Sequence, residues 1–552
     1  MRIAVIDKDS CAGKKCSICV GVCPMNRLKK ECIVMEDFPK INEEICSGCG
    51  ICVRKCPAKA ISIVNLAEEV GEPFHQYGIN SFRLFGFFVP KEGVTAIIGQ
   101  NGAGKSTAVK ILAKKMKPKK YGRELSYEEI AREFKGTEIG NFFKKLEGMK
   151  ISYKPQNVEE FEKVSFGGVE RKVSELSGGE LQKILIEKTL SEDAEIYIFD
   201  EPSSFLDIKQ RLEVAKKIRE KAKEKKVIVV EHDLAILDYL ADYVYVIYGE
   251  AGTYGIFSNV KSSRVGINEF LDGYLKSENV RIRSEEIKFD LTGIERTEGI
   301  GEVFFTYGTL EKNYENFSLH VDAGEIREGE IIGIIGENSI GKTTFVKLIA
   351  GVEKPTNCEI KEKRKISYKP QYLKPPKGKV KDIISTIIEE KEKEKEEKEP
   401  ILNFIEKIME KECQKLSGGE LQKLAIAVCL LQDAEIYLLD EPSAYLDIEE
   451  RLNLSKILRR TIKKGKCAFV VDHDLVFIDS ISDRIILFNG IPGKRGIALR
   501  PTSKKDAMNS FLKKIGITMR RDKDTKRPRI NKEGSSLDRE QKETGNYYYP
   551  GE

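Results

Sequence analysis

Two carboxylate pairs stand near the ends of two almost identical stretches of the chain. Leu176 to Asp207 reads LSGGELQKILIEKTLSEDAEIYIFDEPSSFLD, and Leu416 to Asp447 repeats it 240 residues later with 21 of 32 positions identical. Each copy predicts a glycine turn, a helix and a buried strand that ends in Asp-Glu. One carboxylate of such a pair can hold Mg²⁺ while the other orients or activates a water. The pairs are Asp200-Glu201 and Asp440-Glu441.

A glycine-rich loop lies upstream of each repeat: Gly99 to Thr107, GQNGAGKST, and Gly336 to Thr344, GENSIGKTT. In the first, an apolar strand precedes the loop and a helix follows it, as the G-x-x-x-x-G-K-[ST] phosphate loop requires. Backbone N–H groups and the helix N-terminus favour phosphate, the lysine reaches the β- and γ-phosphates, and the hydroxyl ligates Mg²⁺. The residues predicted to bind ATP here are Asn101, Gly102, Gly104, Lys105, Ser106 and Thr107, then Asn338, Gly341, Lys342, Thr343 and Thr344.

The repeated stretch and the two loops resemble the ATP-binding cassette (ABC) ATPases. The resemblance implies a signature contact from Ser177, Gly179, Ser417 and Gly419. It implies Mg²⁺ ligation by Ser106, Gln156 and Asp200 at one site, and by Thr343, Gln371 and Asp440 at the other. The catalytic set it implies is Glu201 with the switch histidine His232, and Glu441 with His473.

Aromatic residues upstream of each phosphate loop are candidates for the adenine side of the site. Tyr77 and Phe82 could stack on the base or belong to the core, and Tyr307 is the expected counterpart in the second domain.

Nine of the 13 cysteines lie before residue 60. Cys46, Cys49, Cys52 and Cys56 have the bacterial-ferredoxin spacing and are followed by proline, and in two-cluster ferredoxins the fourth cysteine ligates the other cluster. We therefore expect two 4Fe–4S clusters rather than a zinc site or disulfides. The expected ligand sets are Cys11, Cys16, Cys19 and Cys56 for one cluster, and Cys46, Cys49, Cys52 and Cys23 for the other. Cys32 is left over and is expected to pack as a small apolar residue.

The composition is that of globular domains with ionic surfaces, 40% hydrophobic and 33% charged. No apolar run approaches the ~20 residues that cross a bilayer, and the N-terminus lacks the apolar core of a signal peptide. We expect a cytoplasmic protein without a membrane domain. Basic residues crowd two stretches, Lys114 to Arg123 and Arg520 to Arg529. Such stretches are usually solvated surface but can bind nucleic-acid phosphates.

The motifs predict an α/β fold class: two P-loop ABC ATPase domains in tandem behind an N-terminal ferredoxin-like (α+β) iron–sulfur domain. Between the first phosphate-loop helix and Gln156, residues 126–146 predict two short amphipathic helices broken at Gly136. The expected boundaries are 1–70 for the iron–sulfur domain, 71–262 for the first ABC domain with its insertion near 121–147, 263–298 for a hinge, 299–497 for the second ABC domain, and 498–552 for a C-terminal hinge segment.

This combination is similar to the class E ABC proteins, also called RNase L inhibitors, and the similarity extends to VRKCPAKAISIVNL, GINEFLDGY, RPRIN and GNYYY. It implies an ATP-driven factor that splits ribosomes after termination or rescue. The expected partners are the ribosome, mainly its small subunit and rRNA, with an archaeal release factor or Pelota-like factor. The two ABC domains of one monomer would face each other head to tail, so that each ATP meets the signature of the other domain.

Three features depart from that family pattern. Cys16 and Cys19 are separated by two residues, fewer than is usual. Ser339 replaces a glycine in the second phosphate loop, where a positive φ would cost a serine ~1 kcal/mol. Gln156 precedes Leu176 by 20 residues, against 45 for Gln371 and Leu416, so the helical subdomain of the first domain is expected to be about half as long.

Two other function classes remain open from the sequence. One is a redox-coupled soluble ATPase whose clusters pass electrons to a partner. The other is a detached transporter ATPase, which the iron–sulfur domain and hinge segments disfavour.

Overall fold

The computed structural model describes residues 2–66, 71–156, 163–166, 169–172, 178–287, 289, 301–357, 364–388 and 395–549. Residues 163–166, 169–172 and 395–397 are described by their backbone only.

The N-terminal domain is built around its cysteines. Strand Arg2–Ile6 pairs antiparallel with Ile61–Asn65, and Ile33–Met35 forms a hairpin with Pro39–Ile41. Its helices are Ile18–Val22, Pro24–Arg27 and Ile51–Lys55, with a 3₁₀ turn at Gly13–Lys15. Five buried cysteines share a core with aliphatic side chains such as Ala4 and Ile61. A domain this small has little apolar surface to bury, so its core depends on these cysteines.

The first large sheet places five strand ends at one edge. Its parallel centre has the order Ile151–Lys154, Ile196–Asp200, Lys226–Val230, Gly93–Gly99 and Tyr243–Glu250. These strands are rich in buried apolar residues because helices cover both faces. Antiparallel and edge strands complete the sheet: His75–Gln76, Arg83–Phe85, Tyr254–Phe257 and Lys261–Ser262. The helices of this domain are Lys105–Leu112, Tyr127–Glu133, Glu138–Leu146, Gly178–Ser191, Ile208–Lys221 and Leu234–Leu240.

The insertion of the first domain is described in full, and part of the backbone of its shortened region is described. A short hairpin, Lys119–Lys120 with Arg123–Glu124, leads into the two predicted helices, which Ser126 and Thr137 cap and which separate at Gly136 with φ +86°. Between Gln156 and the signature, the described backbone is a hairpin, Lys163–Phe166 with Val169–Lys172. The corresponding part of the second domain holds helices Val380–Ile387 and Lys395–Ile405 and 3₁₀ turns Glu406–Ile408 and Cys413–Lys415. The two lobes therefore present different signature-side surfaces.

The second large sheet repeats the first. Its parallel centre has the order Ile366–Lys369, Ile436–Asp440, Cys467–Val471, Ile331–Ile335 and Arg484–Ile491. The remaining strands are Val303–Tyr307, Leu310–Asn313, Ser318–Val321, Gly324–Arg327, Arg495–Ala498 and Thr502–Ser503. The other helices of this domain are Lys342–Ile349, Gly418–Leu431, Ile448–Thr461 and Leu475–Ile481.

Two segments join the lobes into one body. The first contains helix Ser263–Asp272 and hairpin Tyr274–Leu275 with Val280–Arg281; residues 288 and 290–298 of the predicted hinge lie outside the described residues. The second contains helices Lys504–Ile515 and Ser536–Thr544 and hairpin Met519–Arg521 with Pro528–Ile530. One continuous hydrophobic core runs through both lobes and includes Phe270 of the first segment and Met519 and Ile530 of the second. The basic stretch after residue 519 is consequently only partly a solvated surface, because Lys523 and Lys526 are exposed whereas Arg527 is fully buried and Arg521 and Arg529 are ion-paired.

Candidate functional site

The phosphate loops sit where the central strand of each sheet meets its helix. Gly104 and Gly341 precede the helices with φ near +100°, a conformation that favours glycine. Lys105 is buried and donates to the carbonyls of Gly99 and Gln100, both at 2.8 Å. Lys342 donates likewise to Gly336 and Glu337, at 2.9 and 2.6 Å. The first helical turns carry the predicted hydroxyls, Ser106, Thr107, Thr343 and Thr344.

Ser339 has the strained backbone that its position predicts. Its φ is +56°, and Gly102, at the same place in the first loop, has φ +77°. Replacing Ser339 by glycine should raise the free energy of unfolding by up to about 1 kcal/mol, because a non-glycine residue in the left-handed region is strained. The measurement is thermal unfolding of the variant beside Gly102→Ser, which should lower the midpoint. Equal midpoints for Ser339→Gly and the parent would show that the loop absorbs the strain.

A buried aspartate ends the second strand of each parallel centre. Both carboxylate oxygens of Asp200 and Asp440 are buried and accept no hydrogen bond from the described residues. Burial raises the pKa of Asp200 to about 7, helped by the neighbouring Glu201. Burial raises the pKa of Asp440 to about 6, against the opposing effect of the nearby Thr343 hydroxyl. A buried, unpartnered carboxylate next to a hydroxyl fits a hard cation, since Mg²⁺ prefers oxygen ligands.

The adjacent glutamate in each lobe is held from several sides. Glu201 Oε1 accepts from Gln156 at 2.7 Å and lies 3.5 Å from His232 Nε2. The second lobe repeats this at 2.8 and 3.5 Å with Glu441, Gln371 and His473. Burial acts to raise the pKa of Glu201, but hydrogen bonding and the charge of His232 outweigh it, and the pKa falls to about 2. The structure thus brings together the glutamate, glutamine and histidine that the resemblance implied.

Sequence reasoning missed the groups that fix the backbone of this turn. Lys154 is buried and donates to the carbonyls of Asp200 and Glu201 at 2.8 and 3.1 Å, and Lys369 repeats both contacts at 2.7 and 3.1 Å in the other lobe. Glu201 and Glu441 both have φ +49°. In each lobe a buried lysine thus holds the turn at a glutamate whose backbone is in the left-handed region. The sequence could have indicated these lysines, because SYKPQ occurs in both halves of the chain.

The two lobes face each other head to tail. The backbone N–H of Asn101 donates to Asp447 at 2.8 Å, and that of Asn338 donates to Asp207 at 2.9 Å. Each phosphate loop therefore contacts the loop that ends the repeated stretch of the other lobe. Ser417 caps helix Gly418–Leu431, and Gly419 lies beside Asn101. Gly179 is the second residue of the equivalent helix of the first lobe, Gly178–Ser191, whereas Ser177 lies outside the described residues.

A cavity of about 1670 Å³ opens at the first of these junctions. Asn101 and Gly102 line it from one lobe and Ser417 and Gly419 from the other. The N-terminal domain closes one side through Ile6 and Lys59, among others. The cavity therefore lies between the phosphate loop of the first lobe and the signature residues of the second lobe.

Tyr77 and Phe82 both lie at this first site. Tyr77 is 46% exposed, its hydroxyl is 2.8 Å from Thr107, and both rings line the cavity. Phe82 packs against Gly104, where an added Cβ would come within 2.6 Å of its ring.

The prediction for Tyr307 was wrong. Its side chain is buried and packs between Phe305 and Phe345, so it belongs to the core. Phe317 occupies the place beside Gly341 that Phe82 occupies beside Gly104, and Tyr314, 44% exposed, is its neighbour. Tyr314 precedes Gly341 by the same 27 residues that separate Tyr77 from Gly104, so it is the tyrosine that aligns with Tyr77.

His75 packs against Tyr77 and is fully buried. Its ring meets Tyr77 edge-on at 4.6 Å, and its Nδ1 accepts from the backbone N–H of Lys119 at 3.0 Å. Burial, with the charge of Lys119, lowers the pKa of His75 from 6.5 to about 4.

This depressed pKa predicts a loss of stability in acid. Between pH 6.5 and about 4 the unfolded chain binds a proton at His75 that the folded protein does not, so stability falls as the pH drops through this window. Thermal midpoints of the parent and His75→Asn across this range should diverge, with a shallower fall in the variant. The exposed His320 gives the control, His320→Asn. Parallel curves for the parent and His75→Asn would contradict the prediction.

The cysteines fall into two neighbourhoods. Burial raises the pKa of the Cys19 thiol, and the nearby thiols of Cys11, Cys56 and Cys16 add to the shift. Burial also raises the pKa of Cys52 to about 11, with contributions from Cys46, Cys49 and Cys23. Each neighbourhood contains the cysteines of one expected ligand set, including the exchange of Cys23 and Cys56. Cys32 is buried beside Cys23 and Cys46.

The structure itself does not distinguish zinc from iron–sulfur ligation at these thiols. Within the ranges that the structure describes, no three Cys, His, Asp or Glu side chains are placed to hold a single metal ion. The preference for 4Fe–4S clusters rests on the ferredoxin spacing of the cysteines.

Comparison with known proteins agrees with these observations. The family described as ABC transporter matches residues 84–204 and 319–444. A 4Fe-4S binding domain matches residues 39–62, and a possible Fer4-like domain in RNase L inhibitor matches residues 1–31. Translation initiation factor RLI1 of Saccharomyces cerevisiae is 40% identical, and the match covers 99% of this chain and 98% of that protein. The chain belongs to the RNase L inhibitor (ABCE1) family.

Other ABCE1-family proteins are as similar or more so. An uncharacterised ABC transporter ATP-binding protein of Methanocaldococcus jannaschii is 46% identical over 100% of this chain and 98% of its own length. That alignment spans 594 positions, more than the 552 residues of this chain, so the relative carries residues that this chain lacks. A solved structure titled "Model of ribosome-bound archaeal Pelota and ABCE1" has 47% identity and a TM-score of 0.93 over 100% of this chain and 99% of the other.

Membership of the ABCE1 family makes this protein an ABC-type ATPase with 4Fe–4S-binding sequence at its N-terminus. Among the described helices, none has both the length and the hydrophobicity to cross a bilayer.

Proposed function

We propose that this ABCE1-family protein is an ATP-driven ribosome recycling factor. The observation that carries the proposal is the reciprocal contact of each phosphate loop with the other lobe, at Asp447 and Asp207. ATP bound at each junction would be contacted from both lobes and would hold them together. Hydrolysis would release them, and the chain would convert ATP turnover into movement of one lobe against the other.

The residues of each junction have distinct roles in this proposal. Lys105 and Lys342 bind the phosphates from their own lobe, while Ser417 with Gly419 and Ser177 with Gly179 contact ATP from the opposite lobe. Glu201 and Glu441 act as general bases toward the attacking water, and Gln156, Gln371, His232 and His473 position that water and the γ-phosphate. Tyr77 and Phe82 bind adenine at the first site. Tyr314 and Phe317 take that role at the second.

Mg²⁺ and the clusters fit the residues present. Asp200 and Asp440, with the hydroxyls of Ser106 and Thr343 and the amides of Gln156 and Gln371, would hold Mg²⁺, which neutralises phosphate charge when bound. Cys11, Cys16, Cys19 and Cys56 would hold one 4Fe–4S cluster, and Cys46, Cys49, Cys52 and Cys23 the other. Bound clusters would cross-link a small domain whose apolar core is limited.

The cluster domain is attached to both lobes, so lobe movement must act on it. Arg83 of the first lobe forms a two-oxygen ion pair with Glu43 at 2.7 Å, and Asn80 bonds to the backbone of Ala4 and Ile41. Lys59 reaches Glu406 of the second lobe at 2.8 Å. The Glu43 contact is mostly buried and the Glu406 contact is exposed. Closure would therefore break the exposed contact first and carry the domain with the first lobe.

Two similar solved structures are complexes with components of translation. One names Pelota and the ribosome, and another, with 47% identity and a TM-score of 0.80, names the archaeal ribosomal stalk protein aP1 in complex with the recycling factor. We propose the ribosome with a Pelota-like or release factor as the partners of this chain. We also propose the domain boundaries 1–70, 71–262, 263–298, 299–497 and 498–552.

Sucrose-gradient sedimentation tests the proposal. Archaeal ribosomes are incubated with anaerobically purified protein, a Pelota-like or release factor, and ATP. The expected result is ATP-dependent loss of the intact-ribosome peak, with no loss for the Glu201→Gln/Glu441→Gln variant. Intact ribosomes with no protein sedimenting on either particle would overturn the proposal.

The alternative function, a redox-coupled ATPase, has a separate readout. Its clusters would be reduced and reoxidised reversibly at a physiological potential, and ATPase rates would differ between the two states. Cysteine ligation alone does not favour it, because the same ligand sets serve structural clusters. Equal ATPase rates in both redox states would exclude it.

A further inference from the structure

Two buried arginines lie where the lobes meet. Arg211 and Arg451 occupy matching places one turn into helices Ile208–Lys221 and Ile448–Thr461. Their side chains are 12% and 14% exposed. Each pairs at 2.6 Å with the aspartate that follows the switch histidine of its own lobe, Asp233 and Asp474 respectively.

Each arginine also holds the loop that reaches across to the other lobe. Arg451 Nε donates to the carbonyl of Leu446 at 2.9 Å, and the next residue, Asp447, accepts from Asn101 at the first ATP site. Arg211 Nε donates to Leu206 at 2.8 Å, and Asp207 accepts from Asn338 at the second site. Each guanidinium therefore links a loop of one ATP site to the switch segment of the other.

Arg451 has one further contact that crosses the interface. Its Nη1 lies 3.4 Å from the carbonyl of His232, the switch histidine of the opposite lobe. The charges of Arg211 and Arg451 both act on Asp233, which also feels Asp474 across the interface. The two pairs thus form one cluster of four charges that is largely shielded from solvent. A displacement of either lobe would separate these charges, and an unpaired buried charge has a high free-energy cost.

We propose that Arg451, with Arg211 as its counterpart, is a positioning residue that couples nucleotide binding at one ATP site to the other. A guanidinium suits this task because its rigid fork of N–H donors binds several acceptors in a fixed geometry, which a single ammonium does not reproduce. The proposal rests on ATP binding at the two junctions, not on the ribosome as partner.

The test measures the coupling directly as an equilibrium ratio. In the Glu201→Gln/Glu441→Gln background, a fluorescent ATP analogue is titrated into protein whose second site is intact and into protein with Lys342→Ala. The ratio of the two first-site affinities is the coupling factor. Allosteric coupling typically changes affinity about 5- to 150-fold. We expect a factor of at least about 5 in the parent and close to 1 with Arg451→Met.

Three further variants separate coupling from stability. Arg451→Met/Asp474→Asn leaves no unpaired buried charge and should also have a factor near 1. Arg451→Lys should retain the charge but not the coupling. Arg459→Met removes a buried ion pair from the same helix, at 2.8 Å to Asp483 of its own lobe, and should leave the coupling factor unchanged.

Two results would overturn the proposal. One is a parent factor near 1, since the sites would then be independent. The other is a factor in the Arg451 variants equal to that of the parent. Ribosome sedimentation is scored separately, so coupling without ribosome splitting would support this inference while rejecting the recycling function.

Discussion

Replacing Glu201 and Glu441 by glutamine should abolish ATP turnover while ATP still binds. A positioned general base contributes about 10²- to 10⁴-fold to a rate, and we expect the double variant to lose activity by that factor. Glutamine keeps the volume of the side chain and can keep a hydrogen bond to Gln156 or Gln371 by rotating its amide. The phosphate loops are unchanged, so ATP should accumulate unhydrolysed at both junctions.

Single-turnover hydrolysis of radiolabelled ATP, beside filter binding of the same nucleotide, checks this result. The control is Glu195→Gln, since Glu195 lies at the opposite end of strand Ile196–Asp200, where its carboxylate accepts from the backbone of Lys150. That variant should hydrolyse at the parental rate. A double glutamine variant with unimpaired hydrolysis would mean that neither glutamate is the base. Lost binding would mean instead that these glutamates hold the site together.

The two single variants add information about symmetry. The lobes are almost identical at the glutamate, with matching distances to glutamine and histidine and the same φ of +49°. They differ at Ser339 and in the signature-side surface, a hairpin in one lobe and helices in the other. Unequal effects of Glu201→Gln and Glu441→Gln would therefore have their origin outside the catalytic turn.

Motifs with fixed spacing were the part of this site that the sequence could predict. The carboxyl ends of parallel strands meet at one edge of a sheet, so residues following each strand had to converge. The resemblance to ABC ATPases assigned Gln156, Glu201 and His232 to one site, and the parallel sheet gives the physical reason that they converge. The ferredoxin spacing predicted the exchange of Cys23 and Cys56 between the cysteine sets.

Contacts between segments far apart in the chain could not be predicted in this way. Tyr307 was chosen by its position in the sequence, whereas the adenine side depends on which aromatic packs on Gly341. The basic stretch after residue 519 suggested a solvent-exposed surface, because composition does not show that acidic residues in both lobes pair with its arginines. Ion pairing decides whether an arginine is buried, and the partner Asp238 lies almost 300 residues away in the chain.

Substituting Arg527 should detach the C-terminal segment from the first lobe. Arg527 has no exposed surface, and its guanidinium pairs at 3.1 Å with Asp238, which is itself buried and also pairs with Arg529 at 2.5 Å. Removing one partner of a buried pair typically costs about 3–5 kcal/mol when the other charge is left uncompensated, but Asp238 keeps its pair with Arg529. Arg527→Met should therefore weaken the attachment by less than a fully unpaired charge would, up to about 3 kcal/mol.

Hydrogen exchange at hairpin Met519–Arg521 with Pro528–Ile530 measures this locally, which suits a protein of several domains. A loss of up to about 3 kcal/mol should speed exchange of the hairpin amides by up to roughly 10²-fold. Arg527→Met/Asp238→Asn removes both charges and should recover part of the protection, whereas Lys523→Met, on the exposed turn between the strands, should change little.

The same hairpin also joins the second lobe, where Arg521 pairs with Asp479 at 2.6 Å. Asp238 and Asp479 lie on the short helices that follow His232 and His473, so the segment is fixed to both switch regions. If exchange in Arg527→Met matched the parent, Arg529 and the hydrophobic core would hold the segment on the first lobe without Arg527.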